Sequence, residues 1–207
     1  TKKTEKKRMF DNQVTLLYKT DENYFPNIKI FQNGNIQMTG TRTINECHPI
    51  IEYILNYIGI IHDVKLKYHN FKIRLINTDF RVYKNPEFTD RFAIKRKELH
   101  KALIEDTNII SSFQPGSYPA IRIEYFYNTY NTNGICECKE VCMGKNTKTT
   151  KINCKKVTIA VFESGSILIT GGIDEDQVQK AYQFISNFIL KSEARFEKKT
   201  CQLFDVI

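Results

Sequence analysis

Two ten-residue segments, FQNGNIQMTG from Phe31 and FESGSILITG from Phe162, carry Phe, Gly, Ile, Thr and Gly at matching positions, 131 residues apart. An internal repeat in a chain of 207 residues restricts the fold more than any single motif does, because both copies must form the same local structure.

The second copy is the easier to read. KKVTIAVF suggests a strand, ESGS a glycine-containing hairpin turn, and ILITGG the returning strand. Asp174 and Gln177 then form a capping box, followed by Val178, Ala181, Tyr182, Ile185, Phe188 and Ile189 at helical spacing. The first copy repeats the order: NIKIF, the turn QNGN, IQMTG, a second capping box from Thr43 and Glu46, and a stripe of Ile50, Ile51, Ile54, Leu55 and Ile58. Pro49 places the start of that helix a few residues after Thr43, and Gly59 is expected to end it. Another strand precedes each hairpin, NQVTLLYK in the first half and AIRIEYFYN in the second. The second half adds a strand in FKIRLINTDFRV and a helix from about Arg91 to Ile104, without first-half counterparts in this chain. This sets an expected organisation of 1–65 as first pseudo-repeat, 66–190 as second, a Cys-rich insert at about 128–156, and a tail at 191–207. The chain starts at Thr1 without an initiator Met, so a fragment with sequence missing upstream is expected.

Strand parity separates two faces. Ile159, Val161, Ile167 and Ile169 supply the continuous apolar positions that helices must cover. The opposite face then carries Thr158, Ala160, Phe162, Leu168 and Thr170 in the second half, and Lys29, Phe31, Gln37 and Thr39 in the first. An uncovered sheet face bearing aromatics points to a partner. The formal charge of +8 and the pI near 9.1 suit a polyanion such as nucleic acid, and equally suit simple solubility. Heavy use of Asn, Ile and Lys, whose codons are A/T-rich, suggests an AT-rich genome. No apolar run reaches the roughly 18–20 residues of a membrane span. No phosphate-cradling glycine loop, nucleophile elbow or acid–base constellation points to catalysis, and His48, His62, His69 and His100 are scattered.

The duplicated pattern resembles the TATA-box-binding protein family, in the divergent form carried by large DNA viruses; KIFQNGNIQMTG and AVFESGSILITG carry the resemblance, which covers the chain from about Lys7 to Leu190 outside the Cys-rich insert. It implies an α+β saddle: a pseudo-two-fold duplicated, curved antiparallel sheet with helices on the convex face and the concave face on the DNA minor groove. By position in the motif, Phe31 and Phe162 match the wedge at the end of each hairpin's first strand. Tyr118 and Phe10 match their partners, and Thr39 and Thr170 the base-facing threonines. Asn77 matches the central asparagine, although a gapless alignment places Leu75 there instead. Leu168 lies on the groove-facing set, whereas Gln37 stands where the family has an apolar residue. Glu124 stands where a phosphate-contacting Arg is expected, with Arg122 nearby. The implied mechanism prises open flexible base steps with aromatic wedges and bends the duplex.

Of six cysteines, Cys136, Cys138, Cys142 and Cys154 crowd into CECKEVCMGKNTKTTKINC with spacing C-x-C-x3-C-x11-C. Four thiolates in one polar excursion suit a tetrahedral structural zinc ion, against two disulfides or free thiols. Cys47 and Cys201 read as structural. The functional expectation is a non-enzymatic initiation factor that bends AT-rich promoter DNA and recruits general transcription factors or polymerase subunits. The alternatives are a protein-interaction scaffold with weak DNA binding, or an RNA-binding α+β module. An intracellular site is expected: nucleus, cytoplasmic viral factory or virion.

Overall fold

The structure, a computed structural model, describes residues 12–130, 132–138, 142, 144 and 154–198. The chain divides into two compact units at Phe71 and Lys72.

In the first unit, β1 (Gln13–Leu17), β2 (Asn27–Phe31) and β3 (Ile36–Thr39) form an antiparallel sheet in that order, followed by helix α1 (Cys47–His62). Ile28 pairs with Met38 and Ile30 with Ile36, so these four side chains share a face. Ile50 and Ile54 of α1 pack on that face with Ile28, flanked by Ile30, Ile36, Met38 and Ile58.

The second unit orders its strands β4-β8-β7-β6-β5, all antiparallel. They are β4 (Ile76–Arg81), β5 (Ile110–Ser112), β6 (Ile121–Tyr127), β7 (Lys155–Val161) and β8 (Ser166–Gly172). Helices α2 (Arg96–Thr107), α3 (Glu175–Lys191) and the single turn α4 (Glu193–Phe196) belong to the same core. Ile159, Val161, Ile167 and Ile169 are buried beneath Leu99, Leu103, Ala181, Ile185 and Ile189, as parity requires. Each such aliphatic side chain taken from water contributes about 1.5–3 kcal/mol, so this layer dominates the unit's stability. Phe196 also lies in this core, stacked on Phe188 with ring centroids 5.8 Å apart.

The repeated segments fold alike. In each turn the glycine amide bonds to the preceding Phe carbonyl, Gly34 to Phe31 at 2.9 Å and Gly165 to Phe162 at 3.1 Å. The Phe amide in turn bonds to the carbonyl of Asn35 or Ser166, both at 2.9 Å. Gly34 and Gly165 have φ of +81° and +80°, the left-handed region of a three-residue hairpin loop that favours glycine. The helix entries correspond too. Gln177 Oε1 accepts from the Ile173 amide, and Glu46 Oε2 accepts from the Arg42 amide, 131 residues earlier.

Several elements differ from the sequence expectation. Asp174 caps α3 through the Asp176 amide, but Thr43 caps nothing by itself; its hydroxyl bonds to Glu46, and α1 begins at Cys47. Gly59 does not end α1, which runs on to His62 and closes at Asp63, φ 52°. The Gly59 carbonyl instead accepts the Val64 amide, and a Cβ there would meet the Val64 oxygen. The strand expected across FKIRLINTDFRV is only Ile76–Arg81, and the helix expected from Arg91 starts at Arg96.

Candidate nucleic-acid interface and cysteine centre

Among the described residues, no helix packs on the second face of either sheet. In the second unit the register sets Ser112, Arg122, Ala160, Leu168 and Asp79 in one row across β5, β6, β7, β8 and β4. Ile110, Glu124, Thr158 and Thr170 form the next row. Leu168, Thr158 and Thr170 are half-buried; Ala160 is almost covered by its larger neighbours. Asn77 is exposed and alternates with the half-buried Ile76 and Thr78, which turns it to this same face. It lies opposite the break in register between Ile76 and Thr78, where Gly171 adopts φ +94°. Leu75 is exposed just ahead of the strand.

Phe162 and Tyr118, paired by the family motif, come together at the end of this face. Their ring centroids are 6.0 Å apart at 68°, an edge-to-face contact. Their loops are held by one side chain. Arg96, at the start of α2, donates to the Pro119 carbonyl beside Tyr118 and to the Glu163 carboxylate beside Phe162, the latter at 2.7 Å. Lys198 also donates to Glu163, at 2.6 Å. These two cations hold the Glu163 carboxyl below the ordinary carboxylate range. Tyr118 nevertheless keeps 43% of its surface exposed, so the ring projects rather than fills a core.

Several charged groups on the face are engaged by neighbouring side chains. Lys156 bonds to Glu124 at 3.2 Å, with Arg122 4.0 Å from the same carboxylate, and Arg81 donates twice to Ser166. Sequence reasoning had singled out Arg122 and Glu124 but missed Lys156 and Arg81; the antiparallel register that brings them in was the missing signal.

In the first unit the corresponding face carries Gln13 beside Phe31, then Thr15, Lys29 and Gln37 in one row, and Leu17, Asn27 and Thr39 in the next. Gln37 and Thr39 are exposed and Lys29 half-buried. Phe31 lines a shallow hollow with Asn12, Gln32 and Asn33. Its motif partner, Phe10, lies outside the described residues.

The four cysteines converge. Cys136, Cys138, Cys142 and Cys154 bring their sulfurs within 4.8 Å of one another, with 3.4 Å between Cys138 and Cys154 and 3.8 Å between Cys136 and Cys154. The Gly144 amide donates to Cys142 Sγ at 3.4 Å. Burial, with the neighbouring sulfurs, pushes the Cys154 thiol up to about 12 and raises Cys142. The segment is anchored to both strands it joins: the Phe126 amide bonds to Gly134, and the Lys156 amide to Gly144. Both glycines are in the left-handed region, and a Cβ would strike the Tyr125 ring at Gly134 or Lys156 at Gly144. Tyr125 is fully buried; its hydroxyl donates to the Thr132 carbonyl and burial raises its pKa to about 12. Cys47 is buried in the first unit, near Thr41, while Cys201 lies outside the described residues.

Comparison with known proteins agrees with this geometry. Residues 108–192, within the second unit, match the family model "Transcription factor TFIID (or TATA-binding protein, TBP)". The chain is 29% identical over 216 residues to the "TATA-box-binding protein-like" protein of Acanthamoeba polyphaga mimivirus. That alignment covers 96% of this chain, which thus spans about half of the relative, 52% of its length. Methanococcus jannaschii TBP shares the fold, with a TM-score of 0.50 at 17% identity over 86% of this chain and 78% of that one. With its antiparallel sheets backed by helices, the chain has a TATA-box-binding-protein-like fold, and its match to the family model lies in the second unit.

Proposed function

We propose that this chain is a non-enzymatic transcription factor that binds AT-rich duplex DNA through the minor groove, bends it, and recruits transcription machinery. The observation that carries the reading is the uncovered face of the second sheet, tipped by the Tyr118–Phe162 pair and braced by Arg96. Two rings held at a sheet end can enter a base step, and unstacking it costs a few kcal/mol. Contact of Leu168, Ala160, Thr158 and Thr170 with the widened groove, together with phosphate neutralisation by a chain of charge +8, offsets that cost. Asn77 and Thr39 are assigned to base edges and Arg122 to phosphate. The aromatics of the first unit, Phe31 and Phe10, are assigned a second wedge.

The test is binding to TATA-containing duplex, GC-rich duplex and single-stranded RNA at several salt concentrations, with FRET probes on the duplex ends. Bending with AT preference supports the reading, and Phe162→Ala is expected to abolish bending while the protein stays folded. Binding without bending or preference sinks it. A scaffold reading draws on one observation, the Glu124–Lys156 pair, which sets a carboxylate on the face that would meet DNA. Binding to transcription proteins without measurable affinity for any duplex would favour that alternative.

The cysteine centre is assigned a structural zinc ion. Four sulfurs at zinc–sulfur distances of about 2.3 Å stand about 3.8 Å apart in a tetrahedron, close to the spacings found. Zinc would tie the Cys-rich insert together, making it a docking surface for another factor. Metal analysis of the purified protein is expected to give one zinc per chain; a clearly substoichiometric value rejects the assignment.

A further inference from the structure

The two uncovered faces share a shape but differ at their centres. Displacement by the 131-residue repeat sets Lys29 on Ala160, Gln37 on Leu168 and Thr39 on Thr170. Lys29 and Gln37 are direct cross-strand partners in β2 and β3, as Ala160 and Leu168 are in β7 and β8. One pair of backbone positions thus presents an amide and an ammonium in the first unit, and two apolar side chains in the second. Neither the Gln37 nor the Lys29 side chain has a hydrogen-bond or ion-pair partner among the described residues, and Gln37 is exposed.

In the minor groove a G·C pair differs from an A·T pair by one donor, the guanine N2 amino group. Leu168 and Ala160 offer that donor nothing, so seating a G·C pair there strips water from an amine and leaves it unpaired. Gln37 offers a carbonyl oxygen to accept from N2–H, while its NH2 and the Lys29 ammonium donate to the N3 and O2 acceptors that every base pair carries.

We infer that Gln37, with Lys29, makes the first unit tolerant of G·C pairs while Leu168 and Ala160 keep the second unit A·T-selective, so that the two units read different base content. This rests on the minor-groove reading above and deepens it. A site recognised in this way is asymmetric in composition, and the asymmetry fixes the direction in which the protein lies on it.

The experiment replaces each A·T pair of a bound duplex in turn with G·C and with inosine·C, which pairs like G·C but lacks the N2 amino group. The ratio of the two affinities isolates that amino group. With the unaltered protein, one part of the site is expected to lose roughly tenfold for G·C against inosine·C, the cost of a single mismatched pair. The other part is expected to give a ratio near one. Gln37→Leu is expected to raise that second ratio to roughly tenfold, and Leu168→Gln to lower the first. Bent, AT-preferring complexes with equal ratios along the site, unmoved by either substitution, would overturn the inference and leave minor-groove binding standing. Failure to bind any duplex would overturn both.

Discussion

Val14 and Leu16 on β1 occupy, by register and by repeat, the places that Ile121 and Ile123 occupy on β6. The pair in the first unit is 59% and 37% exposed; the pair in the second is fully buried. The same contrast holds on the helices. Tyr53 and Tyr57 of α1 are 59% and 61% exposed, whereas their counterparts Phe184 and Phe188 pack with Tyr125 and Phe196. Besides α3, the core of the second unit holds Leu99, Ala102 and Leu103 of α2 and Phe196 of α4, and no counterpart of either helix occurs among the described residues of the first. A hairpin and one helix therefore suffice to define a repeat's shape, while sealing its apolar face takes two more elements. Buried core and uncovered surface are divided differently between the units: most of the buried core lies in one, while each carries its own uncovered face.

This contrast is open to attack, the largest effect first. Ile123→Ala is expected to destabilise the second unit by about 2–5 kcal/mol, and Leu16→Ala to cost under about 1 kcal/mol, both read from denaturant midpoints. Equal costs would mean that Leu16 is covered in solution. The two turns differ next. Gly34 and Gly165 share one left-handed backbone, yet a Cβ at Gly34 meets nothing within 4 Å, whereas at Gly165 it lies 2.3 Å from the Phe92 carbonyl oxygen. Gly34→Ala is expected to cost about 1–2 kcal/mol from strain alone. Gly165→Ala adds a backbone clash and is expected to cost more; calorimetry of the two variants ranks them.

Arg96 sharpens the comparison further, because nothing described in the first unit braces Phe31 in this way. Arg96→Ala removes charge-assisted bonds to Pro119 and Glu163 and is expected to cost about 1–2 kcal/mol in stability. On the proposed DNA-binding function it should also reduce bending while leaving some binding; bending at the full parental angle would show that the rings hold themselves. The smallest effect concerns pH. The Glu163 carboxyl is depressed in the folded protein, so its contribution is present above the ordinary carboxylate range and is lost as pH falls through the lower folded value. Glu163→Gln is expected to cost under about 1 kcal/mol near neutrality, since the side chain is 42% exposed, and nothing once the parent is protonated. A difference that persisted at low pH would place the effect in packing instead.

What the sequence made legible follows period and repeat. The odd-numbered aliphatics of KKVTIAVF and ILITGG named the buried layer because alternation in a strand admits only one covered face. The Tyr118–Phe162 pairing was legible only through family likeness, since 44 residues separate the two and no local pattern links them. Local signals misled where tertiary geometry intervened. Gly59 reads as a helix stop, yet it is there to admit the Val64 oxygen beside α1, which ends a turn later. The brace from Arg96, and the Lys156–Glu124 pair, were invisible because each depends on a register between distant strands and loops. The cysteine spacing announced a cluster, but not that Gly134 and Gly144 would fasten it against Tyr125 and Lys156.

The matched turns have a consequence for how such a protein diverges. A left-handed glycine and the same two backbone hydrogen bonds recur in both hairpins, so the turn geometry they share lies in the main chain. Side chains on the uncovered strands are then free to drift independently, and exchanging residues 29 and 37 for their counterparts at 160 and 168 should reprogramme one hairpin without reshaping it. The duplication works as two interchangeable mounts, on which evolution or a designer can install different reading heads.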